Sequence, residues 1–486
     1  MRIYNGSPCV SLKEVVLFPF DDYSIPFQRG MQLKLVGRQA GEVVVAPGPP
    51  GAPDSQAIAF YGTVRRVGDE FWMWYLGRGD KADDHLRLCF ATSRDGYHWQ
   101  KPELGLVEYN GSTKNNLVDL CGGKFALAAS TVLFDPEEAD PDRRFKIVFE
   151  THQRNPAHGT RAEFNVAFSA DGIRWTERPV HPHDLSCEMS GVMKLNGCYY
   201  VTAQSGGGHP GPPRKLETFI SYDFEHWLPA GCLGLVRGQD LPRHLSNLIH
   251  AGEQVHLGAG LWNRGSVIIG LYGQWHGTTL NDSRFVSIDL GLVVSNDGLH
   301  YREPIPDFRM IAASTVSKGS TASAQRYRYP ALQQGQGFEN IGDETLIWYG
   351  AWSYSDGVYV ASWPRDRLGY FQAFLGNKMR SLQESHFVSA PIDLEDKPAR
   401  VFLNVDGLSE HAHVTVEVIS EHLEELSGYS QNDCVRLAQS GLREPVRWQS
   451  CERIESTRGP VRLRLRFGGL RPEDIKIYAL YVEECD

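Results

Sequence analysis

Short runs in which apolar and polar residues alternate recur along most of the chain, each bounded by Gly, Asp, Asn or Pro. A period of two with such punctuation predicts half-buried β-strands rather than helices. Five runs are rich in aromatic or large apolar residues, at 71–75, 145–149, 198–201, 267–272 and 346–349. Ahead of each stands a second apolar run, at 60–64, 130–133, 190–193, 247–250 and 328–332. Turn-forming segments at 67–69, 135–141 and 195–197 join members of these pairs.

After the aromatic runs a seven-residue pattern repeats. Ser93-Arg-Asp95-Gly96-Tyr-His-Trp99 returns as Ser169-Ala-Asp171-Gly172-Ile-Arg-Trp175, Ser221-Tyr-Asp223-Phe-Glu-His-Trp227 and Ser295-Asn-Asp297-Gly298-Leu-His-Tyr301. Asp-Gly between alternating segments is a hairpin signal, because Gly tolerates positive φ. The Ser and Asp side chains can satisfy local backbone donors, and the closing aromatic can cover the turn. The motif is therefore structural. A fifth unit carries Trp363-Pro-Arg-Asp-Arg-Leu-Gly-Tyr370 in its place, as terminal repeats often differ.

Four strands per unit in five units predict an all-β fold: a five-bladed β-propeller over residues 40–374. The region that follows has alternating segments without the repeat, and residues 375–486 are expected to form a C-terminal β-sandwich. Residues 1–39 are an N-terminal segment that can pack on this sandwich.

Composition narrows the function. The 486 residues are 41% hydrophobic and 22% charged, and the net charge of −10 is dispersed, with no basic run to track phosphates. Nucleic acid is thus not an expected partner. No stretch reaches the length of a membrane span and the first residues lack a secretory apolar core, so a cytoplasmic location without membrane association is expected. Nine cysteines without a C-x-x-C pair point to buried free thiols. No P-loop, nucleophile elbow or metal-spaced His pair occurs, so neither cofactor nor catalytic metal is expected, although an axial cation is left open.

With its five units, S-x-D-G-x-x-W hairpins and trailing sandwich, the chain resembles the five-bladed propeller glycoside hydrolases, the group containing families 32, 43, 68 and 130. More closely it is similar to a bacterial set sharing Tyr61-Gly-Thr-Val64, Lys101-Pro-Glu-Leu-Gly105, Asn115-Asn116, Asp140-Pro-Asp-Arg-Arg-Phe-Lys146 and Glu344-Thr-Leu-Ile-Trp-Tyr-Gly350. The resemblance runs over essentially the whole chain. It implies carboxylates at the starts of innermost strands, one as general acid and one as base or nucleophile. Glu188 stands at the place of the acid. Blades one and two hold no carboxylate at the equivalent places, around Ala59 and Ala128. Candidates for the base are Asp54 before the first inner strand, Asp22 of the Asp21-Asp22 pair, and Asp184 beside His183.

Around the funnel of such a propeller, Tyr61, His183, His244, Asn247, His250, Arg328, Tyr329 and Gln336 are the candidates for binding substrate hydroxyls, with Trp262, Trp275 or Trp352 for stacking. Two functions are weighed. An exo-acting glycoside hydrolase on a small glycoside is favoured by Glu188 and the polar funnel. A carbohydrate-binding protein, or a non-hydrolytic enzyme using His or Tyr acid–base groups, is favoured by the missing carboxylates. The reading adopts the hydrolase, with a carbohydrate-like small molecule as partner.

Overall fold

The computed structural model describes the chain outside residues 9–10, 39–40, 82, 84, 121, 123–125, 156–158, 183–184, 186, 206–212, 239–249, 279–281, 316–328, 353–356, 375–384, 456 and 486; the side chains of 152–155, 159–162, 283 and 352 are also outside the description. Among the described residues the structure is all-β, with only short 3-10 turns besides.

Five antiparallel four-stranded units build a propeller. Blade one is Ala57–Val67, Glu70–Arg78, Arg87–Ser93 and Trp99–Gln100; blade two is Leu127–Phe134, Phe145–Asn155, Gly159–Ser169 and Thr176–Arg178. Blade three is Glu188–Leu195, Cys198–Ser205, Lys215–Ser221 and Cys232–Leu235. Blade four is Glu253–Asn263, Ile268–His276, Ser287–Ser295 and Arg309–Ile311. Blade five takes Ala331–Ile341, Glu344–Trp352 and Val358–Pro364 from late in the chain, and its outer strand Glu42–Val45 from before blade one. That early strand closes the ring.

The inner strands of blades four and five start later than the apolar runs suggested. Gly252, at φ +74°, turns the chain after 247–250, and the alternating segment Glu253–Asn263 forms the strand instead. Pro330 has no N–H for a ladder, so the fifth inner strand begins at Ala331.

The repeat motif behaves alike in all four copies. Ser93, Ser169, Ser221 and Ser295 each accept a backbone N–H three residues on, from Gly96, Gly172, Phe224 and Gly298, at 2.8–2.9 Å. Those four residues all have positive φ, between +73° and +79°. The closing rings of Trp99, Trp227 and Tyr301 donate back to the carbonyl of the positive-φ residue. The turns also join blades: Trp74 of blade one donates to the Gly172 carbonyl of blade two at 2.7 Å.

The sandwich consists of two six-stranded sheets enclosing an apolar core that includes Val401, Leu403, Val416, Leu463, Leu465 and Leu480. The N-terminal segment is woven into it. Arg2–Ile3 and Phe27–Arg29 join one sheet, and Glu14–Leu17 and Met31–Leu35 the other. Gly369–Ala373 pairs with Met31–Leu35 and Lys476–Glu484. The chain therefore enters the sandwich by Gly369, before the expected boundary at 374, because the apolar faces of this strand, Phe371 and Ala373, pack into the sandwich core. At the junction, buried Asp366 meets Arg264 of blade four, accepts from Asn340 at 2.9 Å and from the Tyr481 hydroxyl at 2.9 Å.

Candidate active site

Every innermost strand breaks register with its neighbour in its first half: between Ala59 and Thr63, Leu127 and Ala129, Met189 and Gly191, His256 and Ala259, and Gln334 and Phe338. A β-bulge re-aims the residues it displaces and leaves backbone groups without ladder partners. Here the displaced residues help shape one cavity of about 360 Å³ on the propeller axis, at the end where the inner strands start. Tyr61, Ala128, Glu150, Glu188, Arg214, His256, Leu257 and Trp275 are among its walls.

Buried glutamines satisfy the freed backbone. Gln204 of blade three accepts from Leu257 N at 3.0 Å, where Leu257 is held at φ +58°, and donates its amide N–H to Glu188 Oε2. One side chain thus holds both a blade-four bulge and the half-buried carboxylate at the start of blade three. Gln333 accepts from Phe60 N at 3.2 Å, and Gln334 donates to the carbonyls of His256 and Gly258.

Among the described residues, Glu188 is the one expected carboxylate that lines the cavity, and it is joined there by Glu150. Glu150 lies on the second strand of blade two, opposite Ala129, and is fully buried. Between them, buried Cys187 has its thiol pushed well up by burial and by the charges of Glu150, Glu188 and Glu217, so it stays protonated and is no nucleophile. Arg214 packs 4.3 Å from the Trp275 ring centroid; burial lowers its pKa, while Glu188 and Tyr61 oppose that shift. His256, 6.0 Å from the Tyr61 ring, is lowered to about 3 by burial and by Arg214. It is a neutral imidazole at physiological pH and cannot serve there as a cationic acid.

Behind this wall, buried Arg237 donates to the carbonyls of Gln254 and Trp275, both at 3.1 Å, and pairs with Glu253 and Asp307. His276 bridges Glu253 at 2.7 Å and Asp289 at 3.0 Å.

Several expected site residues lie elsewhere. Asp54 is buried inside blade one, bound by Lys101 Nζ at 2.5 Å and the Tyr75 hydroxyl at 2.7 Å, so its charge is spent on holding the strand entry. Asp22 is exposed at the sandwich side and pairs with Arg302, which also binds buried Asp21. Gln336 does not face substrate: its amide exchanges bonds with the N–H and C=O of Val192, at 2.6 and 2.7 Å, and with Thr131 it plugs the axis below the cavity. His250 stacks behind Trp275 and accepts its indole N–H through its own carbonyl. Tyr329 is exposed and does not line the cavity. Trp262 stacks on Phe338 and lines the opposite end of the axis. His183, Asp184, His244, Asn247, Arg328 and the Trp352 side chain fall outside the described residues. Tyr61 lines the cavity as expected.

Glu150, Arg214 and His256 escape the sequence reading. Glu150 is a charge ending an apolar run on a second strand, away from the inner-strand starts where the resemblance places carboxylates. Arg214 follows a Gly- and Pro-rich stretch with no periodicity, and His256 looks like an ordinary alternating position. Among the described residues, no cluster of three or more His, Cys, Asp or Glu could hold a metal, and the seven described cysteines are free thiols.

No protein-family model and no curated protein matches the chain. Solved structures similar to it include a glycosyl hydrolase from Bacteroides ovatus, at 17% identity over 68% of this chain and 95% of that one, with a TM-score of 0.41. A glycoside hydrolase family 130 structure, from work on β-1,2 mannosidic linkages in Candida mannan, is 16% identical over 68% and 94%, with a TM-score of 0.43. A family 32 β-fructofuranosidase from Bombyx mori is 10% identical over 91% and 94%, with a TM-score of 0.40. At these identities and TM-scores no residue is carried across. The five-bladed propeller with its β-sandwich rests on this chain's own strand pairing.

Proposed function

We propose that the chain is a glycoside hydrolase acting on the end of a small glycoside held in the axial cavity, with Glu188 as general acid. The observation that carries this reading is the placement of two carboxylates, Glu188 and Glu150, around one cavity that also presents Arg214, Tyr61 and Trp275. Glycosidic cleavage needs one carboxyl group to protonate the departing oxygen and a second to stabilise or attack the other side of the sugar. Glu188, half-exposed and oriented by Gln204, is the group that reaches the leaving oxygen; Glu150 supplies the second charge. A cavity of about 360 Å³ suits one or two sugar rings and supports an exo mode. Burial and Arg214 hold His256 neutral, so this residue is no proton donor to the leaving oxygen.

The test is hydrolysis of a panel of aryl glycosides and unactivated disaccharides. Glu188→Gln should slow the unactivated substrate by about 10²–10⁴-fold and the aryl glycoside much less, since a good leaving group needs little protonation. Glu150→Gln should slow both. Wild-type rates in Glu188→Gln would remove this residue from the mechanism. Sugar binding without turnover of any glycoside by the wild type would establish the carbohydrate-binding reading instead.

A further inference from the structure

A second cavity, of about 560 Å³, lies at the other end of the propeller axis, where the inner strands finish. Its walls include Arg65, Lys194, Asn196, Trp262 and Asn263, with the carboxylates Asp135 and Glu137 beside Lys194. The plug of Gln336 bonded to Val192 forms its floor and separates it from the cavity of Glu188.

Arg65 is placed there by the fold. Its Nε donates to Val132 O at 3.3 Å and its Nη2 to Val192 O at 3.4 Å, so two inner-strand carbonyls hold the guanidinium on the axis. A guanidinium has five N–H donors. Three remain without a protein acceptor among the described residues, and no carboxylate there lies within the 4.0 Å of an ion pair. Glu339, the acid whose charge Arg65 feels, is paired with Arg66 at 3.9 Å. Burial lowers the Arg65 pKa to about 10, which still leaves it charged at neutral pH. The other cation of the cavity, Lys194, is neutralised by Asp135 at 2.6 Å. A fixed, partly desolvated guanidinium with donors to spare matches an oxyanion, whose charge and planar or tetrahedral oxygens it can meet in pairs.

We propose that this cavity is a second binding site, for a small molecule carrying a carboxylate or phosphate group that docks on Arg65. Asn196 and Asn263 supply polar contacts for the body of the ligand, and the Trp262 ring supplies an apolar wall. The site is independent of the glycosidase reading.

The probes are inorganic phosphate and acetate, titrated calorimetrically into the full chain against chloride at constant ionic strength. The wild type should bind one of them at millimolar concentration, and the stronger of the two identifies the group. Arg65→Gln should weaken that binding at least tenfold. Arg65, on blade one, also ties blades two and three to its own, so a second variant guards against a folding failure. Asn263→Asp keeps the acceptor that Gly265 N uses at 2.8 Å yet sets a negative charge in the wall. It should weaken binding about tenfold, the order that one like charge a few ångström away gives at a partly screened site. No binding of either anion by the wild type overturns the proposal. So does unchanged affinity in Asn263→Asp, which would place the anion elsewhere, such as beside Arg214.

Discussion

The indole Nε1 of Trp348, on blade five, donates to the carbonyl of Gly96, in the turn of blade one, at 3.0 Å. The last blade is thereby stapled to the first at the point where the ring closes. Gly96 sits at φ +79°, and a Cβ added there would lie 2.7 Å from Trp348 Cζ2. The conformation favours glycine, although Phe224 holds it in the third copy, and the space beside Trp348 requires it.

Gly96→Ala should therefore destabilise the propeller by more than the ~1 kcal/mol typical of strained backbone alone. Gly105→Ala is the control, since Gly105 also has positive φ, +72°, but nothing within 4 Å of an added Cβ. Trp348→Ala should cost about 3–5 kcal/mol as a buried aromatic truncation. Urea unfolding of the three variants measures this. Equal losses for the two glycine variants would show that the contact with Trp348 is not what requires glycine at position 96.

Gln204→Leu keeps approximate size but removes both the acceptor for Leu257 N and the donor for Glu188. Leaving a buried N–H without an acceptor costs about 1–3 kcal/mol. Turnover should also fall while sugar affinity changes little, because Glu188 loses its orientation and the cavity walls persist. Gln204→Asn, too short to span blades three and four, should behave the same way. Full activity with reduced stability would confine Gln204 to a scaffolding part.

Stability should depend on pH through His276. Burial works against its charge, but the ion pair with Asp289 and the hydrogen bond to Glu253 outweigh that and raise its pKa to about 9. A His of ordinary pKa near 6.5 in the unfolded chain takes up a proton less readily than this one. The stabilisation, on the order of 2–3 kcal/mol, is therefore complete below about pH 6.5 and is lost as pH rises through about 9. Urea midpoints measured from pH 6 to 10 should fall in the wild type and fall less steeply in His276→Gln. Parallel profiles would refute the assignment.

The hairpin repeat and the aromatic runs suffice to count the blades, though not to start the inner strands of blades four and five, because period-two alternation and Asp-Gly turns are local properties of a strand. Register breaks are not local in this sense. In residues 253–263 the bulge at Leu257 is marked only by Gly258 inside the strand, which does not say which residue it turns toward the cavity. Carboxylates are ambiguous for a different reason. Asp54 and Asp22 stand shortly before strands and Glu188 at the start of one, yet Lys101 and Arg302, distant in sequence, claim the two aspartates as ion-pair partners. Gln336 lies in a Gln-rich strand that reads as polar and ligand-facing; its amide is consumed by a neighbouring blade's backbone, a use that only the assembled axis reveals.

The closure of blade five by Glu42–Val45 sets a timetable for synthesis. This strand leaves the ribosome roughly 300 residues before Val358–Pro364, and at about 5–20 residues per second it waits on the order of 15–60 s for its partner. Glu14–Leu17 waits longer still, since it pairs with Lys476–Glu484. During that interval the nascent chain carries two unclaimed strand edges of Val-rich sequence, the kind of surface on which neighbouring chains on a polysome can pair. Blades one to four, each complete within one continuous stretch, can form in the meantime, so the growing protein is an open arc whose oldest strands are the last to find their partners.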